Sequence, residues 1–296
     1  MQLSKHRTNK MTLTLGQIRT GFNGFQSILE LDNQIAPEDH EINISNWIDA
    51  NMCAPLGAIL YKKKAEDIPI CISNISSYVR SILQKNHFLS QFGESEKPDS
   101  YGTTIEYRRF DTIKEVYKQF QEYVIRHFKP GSLGLPKMSL ELLKRFRESL
   151  FEVFLNAIEH SDTQEGIFTC GQFFPKRQRL HFTIADLGIG IAGNIHRHLG
   201  IRFSPENAIK WAISGKTTRR DRPGGLGLQL IREFIKLNKG RLIIVSGAGY
   251  WELSKGKVST HTFSRPFPGT VVTIDIDTAD TTSYCLSSEI GSFDVF

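Results

Sequence analysis

The sequence predicts an α/β protein whose C-terminal half is of the α+β kind, on three observations. Between Glu41 and Leu89 strand patterns and helical patterns alternate, an order that favours neighbouring parallel strands covered by helices. From Ile167 onward strand patterns dominate, and Leu180, Phe182 and Ile184 show the period-two alternation of a sheet with one buried face. Between these regions lies Glu148 to Ser161, ESLFEVFLNAIEHS, where Leu150, Phe151, Phe154 and Ile158 turn to a core as one side of a helix. At 296 residues the chain has room for roughly two domains, each with its own core.

Residues 1–40 are weakly patterned, with a strand within Met11 to Ile18 and a short helix within Phe25 to Leu31. Glu41 to Ser45 alternates as a strand, Asp49 to Lys64 reads as a helix with Asp49 as its N-cap, and Ile68 to Ile72 is a short apolar strand. A helix over Ser77 to Leu89 follows, then the polar loop Gly93 to Tyr101. Thr103 to Phe110 is a further strand, and the next helix carries Ile113, Val116, Phe120, Tyr123, Val124 and Phe128 on one stripe. It stops at Lys129-Pro130-Gly131. The Gly- and Pro-rich stretch from Pro130 to Met138 marks a boundary between a module at 1–130, a linker at 131–139 and a second domain at 140–279, with a loose tail from 280. In that second domain Ile167 to Phe174 and Leu180 to Ala185 are strands joined by a basic turn. The glycine run Gly224 to Gly227 opens a helix to Leu237 that Asn238-Lys239-Gly240 stops. Arg241 to Ser246 and Thr270 to Ile276 are two more strands, with a hairpin between them turning at Lys255-Gly256.

The net charge of +6 suits an anionic ligand but is too small and scattered to indicate nucleic acid. Cys53, Cys71, Cys170 and Cys285 are far apart without a C-x-x-C, which indicates neither a disulfide framework nor zinc. No stretch reaches the roughly 18 apolar residues of a membrane span. The expectation is a soluble cytoplasmic protein with reduced thiols.

The chemistry starts on the central helix. Glu152, Asn156 and Glu159, at i, i+4 and i+7, share a face, so a carboxylate and an amide oxygen point the same way. Mg²⁺ takes oxygen ligands, commonly one or two from protein and the rest from water and substrate phosphate. Asn156 is the candidate Mg²⁺ ligand, with Glu152 placed to orient or deprotonate a water. Two glycine motifs mislead. Gly188-x-Gly190-x-x-Gly193 fits a dinucleotide fingerprint, but a Rossmann unit needs a helix starting at the glycines and a second parallel strand, whereas about thirty polar and basic residues follow. Gly215-Lys216-Thr217 imitates the end of a P-loop, but Lys210 stands where its first glycine belongs.

What survives is an ordered set: E-x-x-x-N on a helix, D-x-G-x-G after a strand, G-G-x-G-L opening a helix, and G-T before a terminal strand. Over Leu140 to Ile276 this resembles the GHKL ATPase superfamily of gyrase-type topoisomerases, MutL, heat-shock chaperones, histidine kinases and anti-sigma-factor kinases. The resemblance implies a two-layer α/β sandwich of the Bergerat type with a mixed sheet, binding ATP and Mg²⁺. It makes Glu152 catalytic and Asp186 the acceptor for the adenine amine. Gly188 and Gly190 would admit the backbone close to the purine, and Thr270 would lie near the adenine amine. Gly225, Leu226, Gly227 and Leu228 sit at a helix N-terminus that favours phosphate. Ala192 to Pro223 matches the ATP lid, with Lys216, Thr217, Thr218, Arg219 and Arg220 as its basic patch. His160 is a further residue near phosphate, and His196 with His198 lacks a third metal ligand.

The superfamily uses ATP to close a clamp, to phosphorylate histidine, or to phosphorylate serine in a partner. His40-Glu41 leads into a strand rather than a dimerisation helix, which weighs against a phosphoacceptor. Glu41 to Leu89 resembles a STAS domain, with Asp49-Ala50-Asn51-Met52 at the D-[ST]-S-G position and Asn51, which has no hydroxyl, in place of the phosphorylated serine. These resemblances imply a nucleotide-dependent regulatory switch that binds ATP, engages a protein partner through its N-terminal domain, and forms a homodimer as many relatives do. The alternatives are an anti-sigma-type serine/threonine kinase acting on a STAS-like partner, a histidine-kinase-like protein, and a scaffold that binds ATP without hydrolysis.

Overall fold

The computed structural model describes residues 11–37, 40–113, 115–216 and 226–290, without the side chains of His160 and Leu226. The N-terminal part is a three-stranded parallel sheet of β1 (Met11–Thr14), β2 (His40–Asn43) and β3 (Ile70–Ser73), in that order. Its connections are α1 (Phe22–Gln34) and α2 (Cys53–Ala65), and α3 (Ser77–Lys85) follows β3. The strand–helix alternation foretold this arrangement, because parallel neighbours need a crossover. Asp49 is not the side-chain cap expected of it: a short 3-10 turn, Ala50–Met52, precedes α2, and the Asp49 carboxylate accepts from Thr20 N at 2.8 Å and Trp47 Nε1 at 2.7 Å.

The larger sheet has the order β4-β6-β7-β9-β8, from β4 (Thr104–Phe110), β6 (Ile167–Phe174), β7 (Arg179–Asp186), β8 (Arg241–Ser254) and β9 (Lys257–Asp277). All four pairings are antiparallel, where the resemblance implied a mixed sheet, and the parallel strands lie only in the smaller sheets. β4 precedes the Pro130 to Met138 stretch and yet pairs with β6, so that break in composition is not a break in the sheet. On one face, α4 (Val116–His127), α5 (Leu140–His160), α7 (Pro205–Ile213) and α8 (Leu226–Asn238) bury an aromatic-rich core against Leu180, Phe182, Ile184, Ile244 and Ile274.

Strand residues of opposite parity form a second apolar face. Phe168, Cys170, Ala185, Ile243, Val245 and Val271 join the core built by α1, α2 and β2. The N-terminal part therefore closes the open side of the C-terminal sandwich. Gly57, inside α2, permits the approach, because a Cβ there would stand 2.4 Å from the Tyr107 hydroxyl of β4. A buried polar cluster accompanies the contact. Asn51 Nδ2 donates to Thr183 Oγ1 at 3.0 Å, Thr20 Oγ1 donates to Asn51 Oδ1 at 2.9 Å, and His181 Nε2 faces Asp275 Oδ2 at 3.4 Å. Burial alone would raise the Asp49 carboxyl, but hydrogen bonds from Trp47 and Thr20 and the nearby His181 and Arg19 outweigh it and hold the group below its ordinary value.

Two further expectations change. The lid segment holds α6 (Gly190–Leu199) and α7, so its described part is largely helical. A helix does begin at the Gly188-x-Gly190 turn, and what excludes a Rossmann unit is that both neighbours of β7 are antiparallel to it. The tail from 280 is tied down as far as 290: β10 (Ser283–Tyr284) pairs with β5 (Lys137–Met138), and Ser139 N donates to Tyr284 O at 2.8 Å. A last short helix, α9 (Ser287–Ile290), places Glu289 Oε2 2.7 Å from Ser139 Oγ. Among the described residues no helix is long and apolar enough to cross a membrane.

Candidate functional site

α5 starts at Ser139, whose side chain accepts from Leu142 N at 3.1 Å, and runs for 21 residues across the sheet. Its polar stripe faces a cleft between α5, α6, α7, α8, the end of β7 and the Thr270 to Val272 stretch of β9. Glu152, Asn156, Asp186, Gly190, Lys216, Leu228 and Thr270 all line this cleft. Seven residues that the sequence assigned to a site thus meet at one place. Glu159, on the same predicted face, is exposed and is not among the lining residues. Thr217 to Arg220 and Gly225 lie outside the described residues, as does the Leu226 side chain.

Asp186 is the last residue of β7, directly opposite Thr270 on β9, and it is buried. Thr270 N donates to Asp186 Oδ1 at 3.3 Å. Burial raises the Asp186 carboxyl to about 7, against the hydrogen bonds from Thr270 N and Gly188 N that favour its ionised form. A buried acceptor held near neutrality suits a ligand that brings its own donor.

The glycines also have packing roles in the fold. At Gly188 a Cβ would meet Ser161 O at 2.1 Å, so the glycine lets the turn after β7 lie on the end of α5, where Ile189 N donates to Ser161 O at 2.7 Å. Gly190 has φ +69°, in the left-handed region, as it opens α6. Gly227 is set against the central helix: its N–H donates to Glu152 Oε2 at 2.8 Å, and a Cβ would stand 2.9 Å from Glu152 Cβ. The glutamate therefore caps the end of α8 that sequence reasoning reserved for phosphate.

Sequence reading missed the apolar walls, Ile184, Val272, Trp211 and Ile195. The first two follow from Asp186 and Thr270 at two-residue spacing along their strands, a signal that was available. Ser246, which bonds Thr270, had no signal, because strand register is invisible in a single sequence. His196 and His198 sit on α6, and among the described residues no group of three potential metal ligands occurs.

Residues 142–280 match the family described as histidine kinase-, DNA gyrase B-, and HSP90-like ATPase. The match supports membership of this stretch in the GHKL superfamily. No curated protein matches the chain. The match runs from the first turn of α5 to just past β9 and so contains every cleft residue named above, and it supports an ATP-binding function for this part of the chain.

Proposed function

We infer that the protein is a Mg²⁺-ATP-dependent regulatory switch. The observation that carries this reading is the convergence of Asp186 and Thr270 from adjacent strands with Glu152, Asn156 and Lys216 in one cleft of a GHKL-type domain. Asp186 accepts from the adenine amine, Leu228 and Val272 contribute apolar walls, and Lys216 compensates phosphate charge. The donors on α5 fit Mg²⁺, since Asn156 offers a neutral amide oxygen and Glu152 lies one turn away. Asn156 would hold the ion, which would supply charge compensation for the phosphates. Glu152 orients the attacking water and takes its proton, once its bond to Gly227 N is given up. The N-terminal part lies against the sheet face opposite α5, and this supports its reading as the module that passes nucleotide state to a partner protein.

The test is turnover set beside binding. Glu152→Ala should abolish phosphate release while nucleotide affinity stays within a few-fold of wild type, and normal turnover in this variant would end the catalytic assignment. The kinase reading keeps one supporting observation. The Asp49 to Met52 turn, the STAS-like phosphorylation position, is buried against the chain's own sheet and lacks a hydroxyl at 51, so an acceptor serine would belong to another protein. Radiolabel passing from γ-phosphate to a STAS-like partner would establish it. Label released only as phosphate favours the switch, and binding without either outcome favours a scaffold. His40 is buried in β2, with Nε2 3.0 Å from Ala36 N, which argues against a phosphoacceptor histidine.

A further inference from the structure

Ser246 lies on β8 directly opposite Thr270, is 3% exposed, and is not itself among the residues lining the cleft. Its oxygen accepts from Ile191 N at 2.8 Å, in the first turn of α6, and stands 3.1 Å from Thr270 Oγ1. Gly190 leaves room for this arrangement, since a Cβ there would come within 3.0 Å of Ser246 Oγ.

Proton bookkeeping fixes the direction of the bond between the two hydroxyls. Each hydroxyl has one proton and two lone pairs. If Thr270 donated to Ser246, both Ser246 lone pairs would be taken, and its own proton would have no acceptor among the described residues. A buried donor without a partner is an arrangement folded proteins avoid. Ser246 therefore donates to Thr270, and the Thr270 proton turns to the cleft that Thr270 lines. Beside it the Asp186 carboxylate offers lone pairs. The floor of the cleft thus presents an acceptor next to a donor. The adenine edge is complementary, with an exocyclic amine that donates and a ring nitrogen that accepts. Hypoxanthine reverses both, with a carbonyl oxygen and a ring N–H.

We propose that Ser246 is a specificity-determining positioning residue: by giving its proton to Thr270 it commits Thr270 to donate into the cleft, so that the site takes adenine and refuses a 6-oxopurine. The proposal rests on the reading of the cleft as an ATP site and deepens it by naming a residue that does not touch the ligand.

The test compares ADP with IDP by calorimetry on the full chain at pH 8, where Asp186 is ionised. Wild type should prefer ADP by roughly a hundredfold or more, because a site built around paired polar groups discriminates strongly against their reversal. Ser246→Ala frees the Thr270 hydroxyl to rotate, and the ADP/IDP ratio should fall at least tenfold. Ser246→Thr keeps the hydroxyl and should keep the ratio. Thr270→Val should lower the ratio by itself, and adding Ser246→Ala should lower it no further. A merely structural serine would weaken both nucleotides equally, and an unchanged ratio in Ser246→Ala overturns the proposal while leaving the ATP site intact. Wild-type protein that binds ADP and IDP alike also overturns it. Wild-type protein that binds neither overturns the nucleotide reading and the proposal with it. Should Ser246→Ala fail to fold, Ser246→Cys keeps the volume, replaces the hydroxyl with a weak donor and carries the same ratio test.

Discussion

Asp186→Asn separates what this carboxylate costs the fold from what it contributes to binding. Burial holds the folded carboxyl at about 7 against an ordinary 3.8, a gap that corresponds to about 4 kcal/mol at pH 8. The sign follows from proton binding. Between 3.8 and about 7 the folded protein holds a proton that the unfolded chain has released, so this group's contribution to stability falls as pH rises through that window. Asparagine cannot ionise, which removes the penalty, but it accepts more weakly from Thr270 N and Gly188 N. A net gain of about 2 kcal/mol at pH 8 remains, worth roughly 4 °C in melting temperature. The assay is thermal unfolding without added nucleotide from pH 4 to pH 8, with ADP titrations in parallel. The variant should melt above wild type at pH 8, the gap should close as pH falls toward 4, and ADP affinity should drop at least about tenfold. His127 supplies an internal contrast. Burial, with Arg126 adding to it, lowers its pKa to about 4, so its contribution is lost as pH falls from 6.5 toward 4, opposite in sign to that of Asp186. The variant should therefore show the acid-side slope that the wild type partly cancels. A variant no more stable than wild type at pH 8, or a gap independent of pH, would refute the account of Asp186 as a carboxylate buried at a cost.

Deleting residues 1–102 uncovers Phe168, Cys170, Ala185, Ile243, Val245 and Val271, roughly 10 kcal/mol of apolar burial and as much as a whole domain's stability, so the fragment should be insoluble or fail to show a cooperative melt. Gly188→Ala places a methyl 2.1 Å from Ser161 O, where backbone must move, and should lower stability by about 2–4 kcal/mol and abolish ADP binding in calorimetry. Asp49→Asn should lower the melting temperature at pH 7 by about 1–2 kcal/mol equivalent, because the depressed carboxyl stabilises above 3.8, and the variant and wild-type curves should converge as pH falls below that value.

Glu152 and Asn156 were legible because a helix brings residues four apart onto one face, and Asp186 because it ends an alternating strand and is followed by two glycines. Local periodicity carries such information. The Asp49 cap was misread because its carboxylate is taken by Trp47 just before it and by Thr20, 29 residues away, rather than by the backbone of the turn that follows. The pairing of β4 with β6 across Pro130 to Met138 was invisible for a similar reason, since composition does not report pairing.

The sequence by itself determined the helices outside the Ala192 to Pro223 segment, most strands and the order of the glycine and acidic motifs, because these depend on spacing within a dozen residues or so. Only the tertiary structure decided that the N-terminal helices cover the second face of the larger sheet, that Glu152 caps the helix at Gly227, and that Ser246 stands behind Thr270. Each of these depends on which strands become neighbours and in what register, and that choice belongs to the packing of two distant apolar faces.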